Sequence, residues 1–473
     1  VPFPPCRSFF LSRLSPQLFL AALLLLLTAC AAPPPAELKP PALPETFSRT
    51  GEAPLPSRWW RSFEDPDLDR LMEQSLAGNL SLRAAWSRLE QARALARRAG
   101  ADRFPSLDLE AAAGLSRRTA SGEANARDYS LGLAARYEID LWGRIGSEAE
   151  AARLDARAGA FDLQTAAMSL SASVAGAWYE LAEQLEQLRL LDEQIRVNGQ
   201  VLELVRLRFR TGGAISADVL QQEQLIESRR GQRSRVLARM ELLQHRLAIL
   251  QGRSPGLELP AYGPQLPGLS PLPDTGLPAE LLARRPDLRS AWSSLLAADR
   301  RFEVAVSERY PRLSLSARLD TGGDELARLF DDWLASLAAN LALPLVDGGR
   351  LRAEQDRALA LTEQRLHEYG QSVIEAMGEV EDALSSEAQR RILIASLERQ
   401  MELAEASIKS LRERYVQGAA DYQRILSALL SYQQLQSGYL TARLDLIRDR
   451  IALCRSLGGG WLSADASPPV RGI

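Results

Sequence analysis

Histidine and cysteine are scarce, with two and three residues in a chain of 473. So few soft ligands make a His/Cys metal site an unpromising reading. There is no basic excess either: 57 Lys+Arg stand against 60 Asp+Glu, and nothing marks a nucleic-acid partner. Only one long apolar run exists, at the N-terminus, which excludes a polytopic helical membrane protein built from repeated runs of about 20 apolar residues. No phosphate loop, nucleophile–base signature or metal spacing is present, so the chain does not read as an enzyme and no cofactor is expected. What remains is a water-like composition, 46% hydrophobic and 25% charged with a mean hydropathy of −0.16, on a chain long enough for two or three domains.

The single apolar run reads as an address. Arg7 and Arg13 precede LFLAALLLLL, and Leu27-Thr28-Ala29-Cys30 resembles a bacterial lipobox. Residues 1–29 are then a signal peptide, and Cys30 is the lipidation site, carrying a covalent N-acyl diacylglycerol. Ala31 after Cys30, rather than Asp, fits delivery to the outer membrane. Val1 stands where Met would be expected, as an alternative start codon or a trimmed leader would give. Cys6 leaves with the leader, so Cys454 remains as the one free thiol and no intrachain disulfide is expected. Residues 30–58 are Pro-rich and aperiodic, which predicts an extended tether.

The remainder is a tandem duplication at one constant offset of 206 residues. Leu82-Arg83-Ala84-Ala85-Trp86 matches Leu288-Arg289-Ser290-Ala291-Trp292, and Phe104-Pro105 matches Tyr310-Pro311. Gly143-Arg144 matches Gly349-Arg350, Arg208-Phe209 matches Arg414-Tyr415, and Gly252 matches Gly458. The boundaries are a first repeat over 59–253, a linker over 254–278, a second repeat over 279–461 and a tail over 462–473.

Each repeat holds two segments of period-2 patterning. These predict strands over 105–115, 129–141, 312–320 and 333–345. Leu107, Leu109, Leu131, Leu133, Leu313, Leu315, Trp333, Leu337, Leu341, Leu343 and Leu345 fall on the apolar side, whereas Asp108, Glu110, Arg136 and Glu138 fall on the other. The lengths suit tilted membrane-crossing strands. A soluble sheet with one buried face has the same pattern. Four strands cannot close a conducting barrel, and an open edge in lipid leaves backbone groups unpaired at several kcal/mol each. Membrane insertion would therefore require several chains to share one barrel. The loops 116–127 and 321–332 would then be extracellular.

Between strands the chain is Pro-free and rich in Ala, Leu, Glu, Gln and Arg. Helices are predicted over 147–209 and 350–416, each roughly 90–100 Å long at about 1.5 Å per residue. Shorter helices return over 217–251 and 422–457. Leu163, Ala167, Leu170, Val174, Ala177 and Leu181 follow coiled-coil spacing, and Cys454 belongs to a similar series as a small packing residue. His245 and His367 stand alone as structural residues. The connecting turns hold Arg208, Phe209, Gly212 and Gly213 in one repeat, and Arg414, Tyr415 and Gly418 in the other. They read either as plain hairpin turns or as tips where a partner docks.

Lipobox, twofold repeat, strand hairpins and long helical hairpins together resemble TolC-like outer-membrane efflux proteins, most nearly the lipoprotein branch of the NodT and OprM type. The family's RY-x-x-G tip pattern stands at Arg414-Tyr415-Val416-Gln417-Gly418 and, altered, at Arg208-Phe209-Arg210-Thr211-Gly212. Arg284-Arg285-Pro286-Asp287 and Asp218-Val219-Leu220 match further family runs, while Arg424-Ile425-Leu426 departs at the second tip.

The resemblance implies a mainly α fold with β: an outer-membrane β-barrel shared between protomers, four strands per chain, on a long periplasmic α-helical barrel. It implies a homotrimer, inserted in outer-membrane lipid and reaching into the periplasm. Its partners would be a periplasmic adaptor and an inner-membrane pump of the resistance-nodulation-division type. Arg208, Phe209, Gly212, Gly213, Asp218, Arg414, Tyr415 and Gly418 would form the docking tips. Asp421 is the candidate pore gate, with a helix N-cap as its equal alternative. A type I protein-secretion channel and a lipid-anchored periplasmic scaffold without a pore are the other readings of the same sequence.

Overall fold

The computed structural model describes residues 43–54, 56, 58–116, 126–256, 263–417 and 419–459. The leader, Cys30, Gly418 and the 462–473 tail lie outside them. A 3-10 turn, Trp59–Phe63, precedes α1 (Pro66–Gly78) and α2 (Leu80–Ala101). Then come β1 (Ser106–Ser116), β2 (Ala126–Ile139), α3 (Arg144–Arg210) and α4 (Ser216–Leu250). After the linker and a short turn of helix, the second repeat gives α5 (Pro286–Ser307), β3 (Arg312–Gly323), β4 (Trp333–Ala342), α6 (Arg350–Val416) and α7 (Tyr422–Ser456). The α3 and α6 helices have 67 residues each, and α4 and α7 have 35 each. At about 1.5 Å per residue the long pair runs near 100 Å.

Both long helices start from a tight turn with a carboxylate over the free N–H groups. Gly143 and Gly349 sit at φ +72° and +84° as N-caps. Asp140 accepts from the Ile145 and Gly146 amides, and Asp347 accepts from the Gly349 and Leu351 amides. Negative charge there suits the helix dipole.

The shorter helices make one long unit by stacking end to end. Asn79 accepts from the Leu82 amide at 2.9 Å as the N-cap of α2, and its Nδ2 donates to the Leu250 carbonyl at 2.9 Å. One side chain thus joins the start of α2 to the end of α4. Gly252, at φ +74°, makes the close approach feasible, because a Cβ there would lie 2.3 Å from the Gly78 carbonyl oxygen. The second repeat does the same with Gly458 at φ +82° against Arg284, and with Arg285 Nη1 donating to the Ser456 carbonyl at 3.2 Å. The protomer is therefore four columns side by side. The α4/α2 stack packs on α3, α3 on the α7/α5 stack, and that stack on α6.

The main core lies at mid-height. Trp59, Trp60 and Phe63, with Leu68, Leu71 and Met72 of α1, pack onto Val174–Ala182 of α3 and onto α7. Trp178 Nε1 donates to Asp65 Oδ2 at 2.7 Å. Cys454 is buried in this cluster, and burial pushes its thiol up to about 12. His245 and His367 are exposed.

Several boundaries differ from the sequence reading. The tether is not free up to residue 58: Phe47 buries against Leu281 and Leu288, and Gly51 N donates to the Pro273 carbonyl at 3.1 Å. An aromatic residue with a pocket to fill outweighs the freedom of a Pro-rich segment. Strand β4 stops at Ala342 and does not reach residue 345, because the residues after Ala342 find no partner on β3 and Pro344 brings no N–H. Strand β3 runs on to Gly323, since β2 pairs with it that far, so Thr321, Gly322 and Gly323 belong to the sheet and not to a loop. In the other loop, Ser116, Ala126 and Arg127 are strand residues, and 117–125 lie outside the described residues. Gly348 and Gly349 are turn residues with positive φ.

Candidate functional site

The four strands form one antiparallel sheet in the order β1-β2-β3-β4. Register brings all odd positions to one face: Leu109 pairs with Leu133, Leu133 with Leu319, and Leu319 with Ala335. Apart from Arg127 and Thr321 near the strand ends this face is apolar along every strand, and among the described residues nothing covers its leucines on β1 and β4. Leu107, Leu109, Leu115, Leu337 and Leu341 are each 67–81% exposed. A soluble sheet would bury one face, so the pattern fits contact with lipid.

Even positions carry the opposite face. There Arg136 bridges Asp108 and Glu110 at 3.2 Å each. Arg318 in turn pairs with Glu110 and, at 3.3 Å, with Asp320. Five charges on three strands thus form one hydrated ladder. Sequence alternation located several of them, but their pairing depends on register.

Aromatic residues mark both ends of the sheet. Trp142 stacks on Tyr310 at 4.8 Å and donates to the Pro311 carbonyl, and Phe104, shortly before β1, is exposed. Phe330 and Trp333 lie 6.3 Å apart at the other end. Strand β1 has 11 residues, about 36 Å at 3.3 Å per residue, or roughly 28 Å upright at a tilt near 40°. That matches the ~25 Å apolar band of membrane barrels. Among the described residues no helix is long and apolar enough to cross a membrane.

At the far ends of the long helices the two hairpin tips touch. Arg208 sits over the Tyr415 ring, 4.5 Å from its centroid, and donates to the Tyr415 carbonyl. Gly212, at φ +76°, ends α3, and the Gly213 amide closes back on the Arg208 carbonyl at 2.8 Å. A Cβ on Gly213 would stand 3.1 Å from the Arg208 side chain. Asp218 accepts from the Ile215 amide at 3.1 Å and holds the first turn of α4. Arg414 gives its carbonyl to the Ala419 amide at 2.8 Å, the counterpart of the first tip. Asp421 is the N-cap of α7, accepting from the Arg424 amide at 3.0 Å. Phe209, Leu207, Ile215 and Val416 are 47–65% exposed around the tips.

A second tie was not visible in the sequence. Tyr422 Oη donates to Gln222 Oε1 at 2.6 Å, and Gln222 Nε2 donates to the Asn198 carbonyl at 2.8 Å. This links α7 to α4 and α3 in the dry interior. Burial, with the nearby Asp218 carboxylate, pushes the Tyr422 phenol up to about 12. The polar seam continues along α3, where Gln194 and Gln187 reach carbonyls of α7. It ends at Glu183, whose carboxyl is pushed up by burial.

Residues 71–253 and 277–459 each match the outer membrane efflux protein family. The pyoverdine export outer membrane protein OpmQ of Pseudomonas aeruginosa is 32% identical, covering 86% of this chain and 88% of its own length. The cation efflux system protein CusC of Escherichia coli is 28% identical, with 85% and 88% covered. Among solved structures, the open state of the Neisseria gonorrhoeae MtrE outer membrane channel superposes with a TM-score of 0.81 at 27% identity, covering 91% of this chain and 98% of that one. The outer-membrane channel OprN gives 0.82 at 29% identity, with 90% and 100% covered.

Proposed function

Because the chain belongs to the outer membrane efflux protein family, and acts in the outer membrane as an efflux channel, we propose that it is the passive exit duct of a tripartite pump. Three copies share one twelve-stranded barrel, and their helices form a tunnel through the periplasm. An inner-membrane pump of the resistance-nodulation-division type supplies energy, and a periplasmic adaptor joins pump to duct. The observation that carries this reading is the two-faced sheet, lipid-suited outside and charge-paired inside, with unpaired edges at β1 and β4. Edges in hydrocarbon cost several kcal/mol per unpaired group, so closure needs further copies.

The exposed apolar side chains around Gly212 and Arg208 supply the adaptor's docking surface, with Arg414, Tyr415 and Gly418 at the second tip. Relatives are named for pyoverdine, toluene and cations. Such a range supports a duct whose cargo is chosen by the pump. Purified protein in planar bilayers is expected to give discrete conductance steps, and a chain that inserts without conducting would leave only the scaffold reading.

Cys30 is proposed as the lipid anchor. Cells fed labelled palmitate should label the wild-type chain and not Cys30→Ala. Equal labelling of both would remove the anchor.

A further inference from the structure

At the sheet end of the helices a cavity of about 640 Å³ opens between α2 and α3. Arg93, Arg97 and Arg153 line it together with Phe104, and no acidic residue does. The small residues Gly100 and Ala101 keep it open, and a Cβ on Gly100 would meet nothing within 4 Å. Arg93 pairs with Glu90 at 2.8 Å and Arg153 with Glu150 at 3.6 Å. Arg97 has no carboxylate partner among the described residues. The α2 helix as a whole carries five arginines against one glutamate, in a chain of net charge −3. We propose that this cavity binds the phosphate of an anionic phospholipid headgroup, in the leaflet that faces the periplasm. The inference rests on the reading above for which side of the helical wall faces outward.

The height is right for headgroups. Phe104 stands two residues before β1 and is 72% exposed, and Trp142 and Tyr310 stack at the same end of the sheet. Aromatic residues so placed mark the membrane–water interface. Arg97 lies seven residues before Phe104, about 10 Å along a helix. The headgroup layer extends about 5–8 Å beyond the hydrocarbon, and a long arginine stem carries its charge across the difference. The side is right as well. Arg153 precedes Trp178 by 25 residues, about seven turns at 3.6 residues each, so both leave α3 on one side. Trp178 bonds Asp65 there, and α1 packs on the same side. Inside the proposed duct α1 would block the tunnel, so this side faces lipid headgroups and periplasm.

The second repeat is an internal control. Shifted by 206 residues, Arg93, Arg97 and Arg153 become Asp299, Glu303 and Leu359. The two repeats share one helix packing, α2 on α3 and α5 on α6, yet only the first groove is basic. The packing itself therefore does not require the arginines. A guanidinium fork matches two phosphate oxygens at once, and that of Arg97 is unclaimed within the chain. Lipid phosphate supplies the missing anion at the height and on the side where the cavity opens.

Native mass spectrometry of the full-length protein in detergent tests the site, with phosphatidylglycerol, phosphatidylcholine and inorganic phosphate as probes. The variant is Arg97→Gln with Arg153→Gln. Its control, Arg196→Gln with Arg230→Gln, removes the same charge from exposed ion pairs elsewhere on α3 and α4. Each arginine beside an anionic surface is worth about fivefold in affinity. The variant should therefore bind phosphatidylglycerol about 10–25-fold more weakly than the wild type, with the control unchanged. Phosphatidylcholine should bind weakly to all three. Equal affinity of wild type and variant for phosphatidylglycerol, an equal loss in the control, or equal binding of both lipids by the wild type overturns the site. Inorganic phosphate that displaces the lipid better than chloride at the same ionic strength would assign the cavity to free phosphate and overturn the lipid. A chain that prefers phosphatidylglycerol but does not conduct in planar bilayers keeps the site and loses the duct. One that conducts without that preference keeps the duct and loses the site.

Discussion

Replacing Arg450 with methionine is expected to cost about 3–5 kcal/mol, the usual consequence of leaving a buried charge without its partner. Arg450 and Glu387 are 3% and 2% exposed and face each other in a two-point contact of 2.9 and 2.7 Å. The same guanidinium donates from Nη1 to the Ser270 and Pro271 carbonyls at 3.1 Å. One side chain therefore fastens the inter-repeat linker to α6 and α7. Arg391 would still reach Glu387, but from a half-exposed position, and would leave both carbonyls without a donor. The shift of the guanidinium midpoint in detergent measures the loss, and a change under about 1 kcal/mol would show the clamp to be dispensable. The double variant Arg450→Met with Glu387→Leu should recover much of the loss, because no charge is then stranded.

The pH dependence follows from the same pair. Burial pushes the Glu387 carboxyl up, but its bonds to Arg450 and Arg391 more than offset this and hold it below the ordinary carboxylate range. A depressed folded value means that the stabilisation is present above the unfolded pKa and is lost as pH falls through the folded one. The wild type should therefore keep this contribution through mildly acidic pH. In Arg450→Met that protection should weaken, because burial remains and its main offset is gone.

Much of the architecture is legible in residue order because it is written in local periods. Alternation at Leu107–Leu115 and at Leu313–Leu319 located strands, and Pro-free runs located α3 and α6. The repeat offset carried these assignments from one half to the other. Features that rest on distant contacts were not legible. Nothing local at Asn79 says that its side chain will cap α2 and hold the end of α4 at Leu250. Gly252 and Gly458 were recognisable as repeat landmarks, but their role as close-approach points depends on backbone 174 residues away, at Gly78 and Arg284. The charge ladder through Arg136, Glu110 and Arg318 needed register. Tyr422 and Gln222 carry no motif, and only the folded tip shows them meeting. Asp421 had two readings in the sequence, and its bond to the Arg424 amide supplies the N-cap role.

Removing both tip ties, as Arg208→Ala with Tyr422→Phe, should give the largest change in transport. The tips lie at the entrance of the proposed duct, and these two contacts hold one hairpin of a chain against the other. The first is a cation–π contact with a backbone hydrogen bond, worth about 0.5–2 kcal/mol. The second is a buried hydrogen bond worth about 1 kcal/mol. Losing roughly 2 kcal/mol per chain shifts the balance between tied and separated tips by about 30-fold, at tenfold per 1.4 kcal/mol. Neither substitution touches the strands, so insertion and the size of the assembly should be unchanged. The conductance of single channels in planar bilayers should rise, and the fraction of time spent in the high-conductance state should rise most in the double variant. Arg208→Lys should stay close to the wild type if charge over the ring is what matters, and should fall with Arg208→Ala if the planar guanidinium is required. Unchanged conductance in the double variant, with normal insertion, would mean that the tips do not limit flow and that the constriction lies elsewhere along the tunnel.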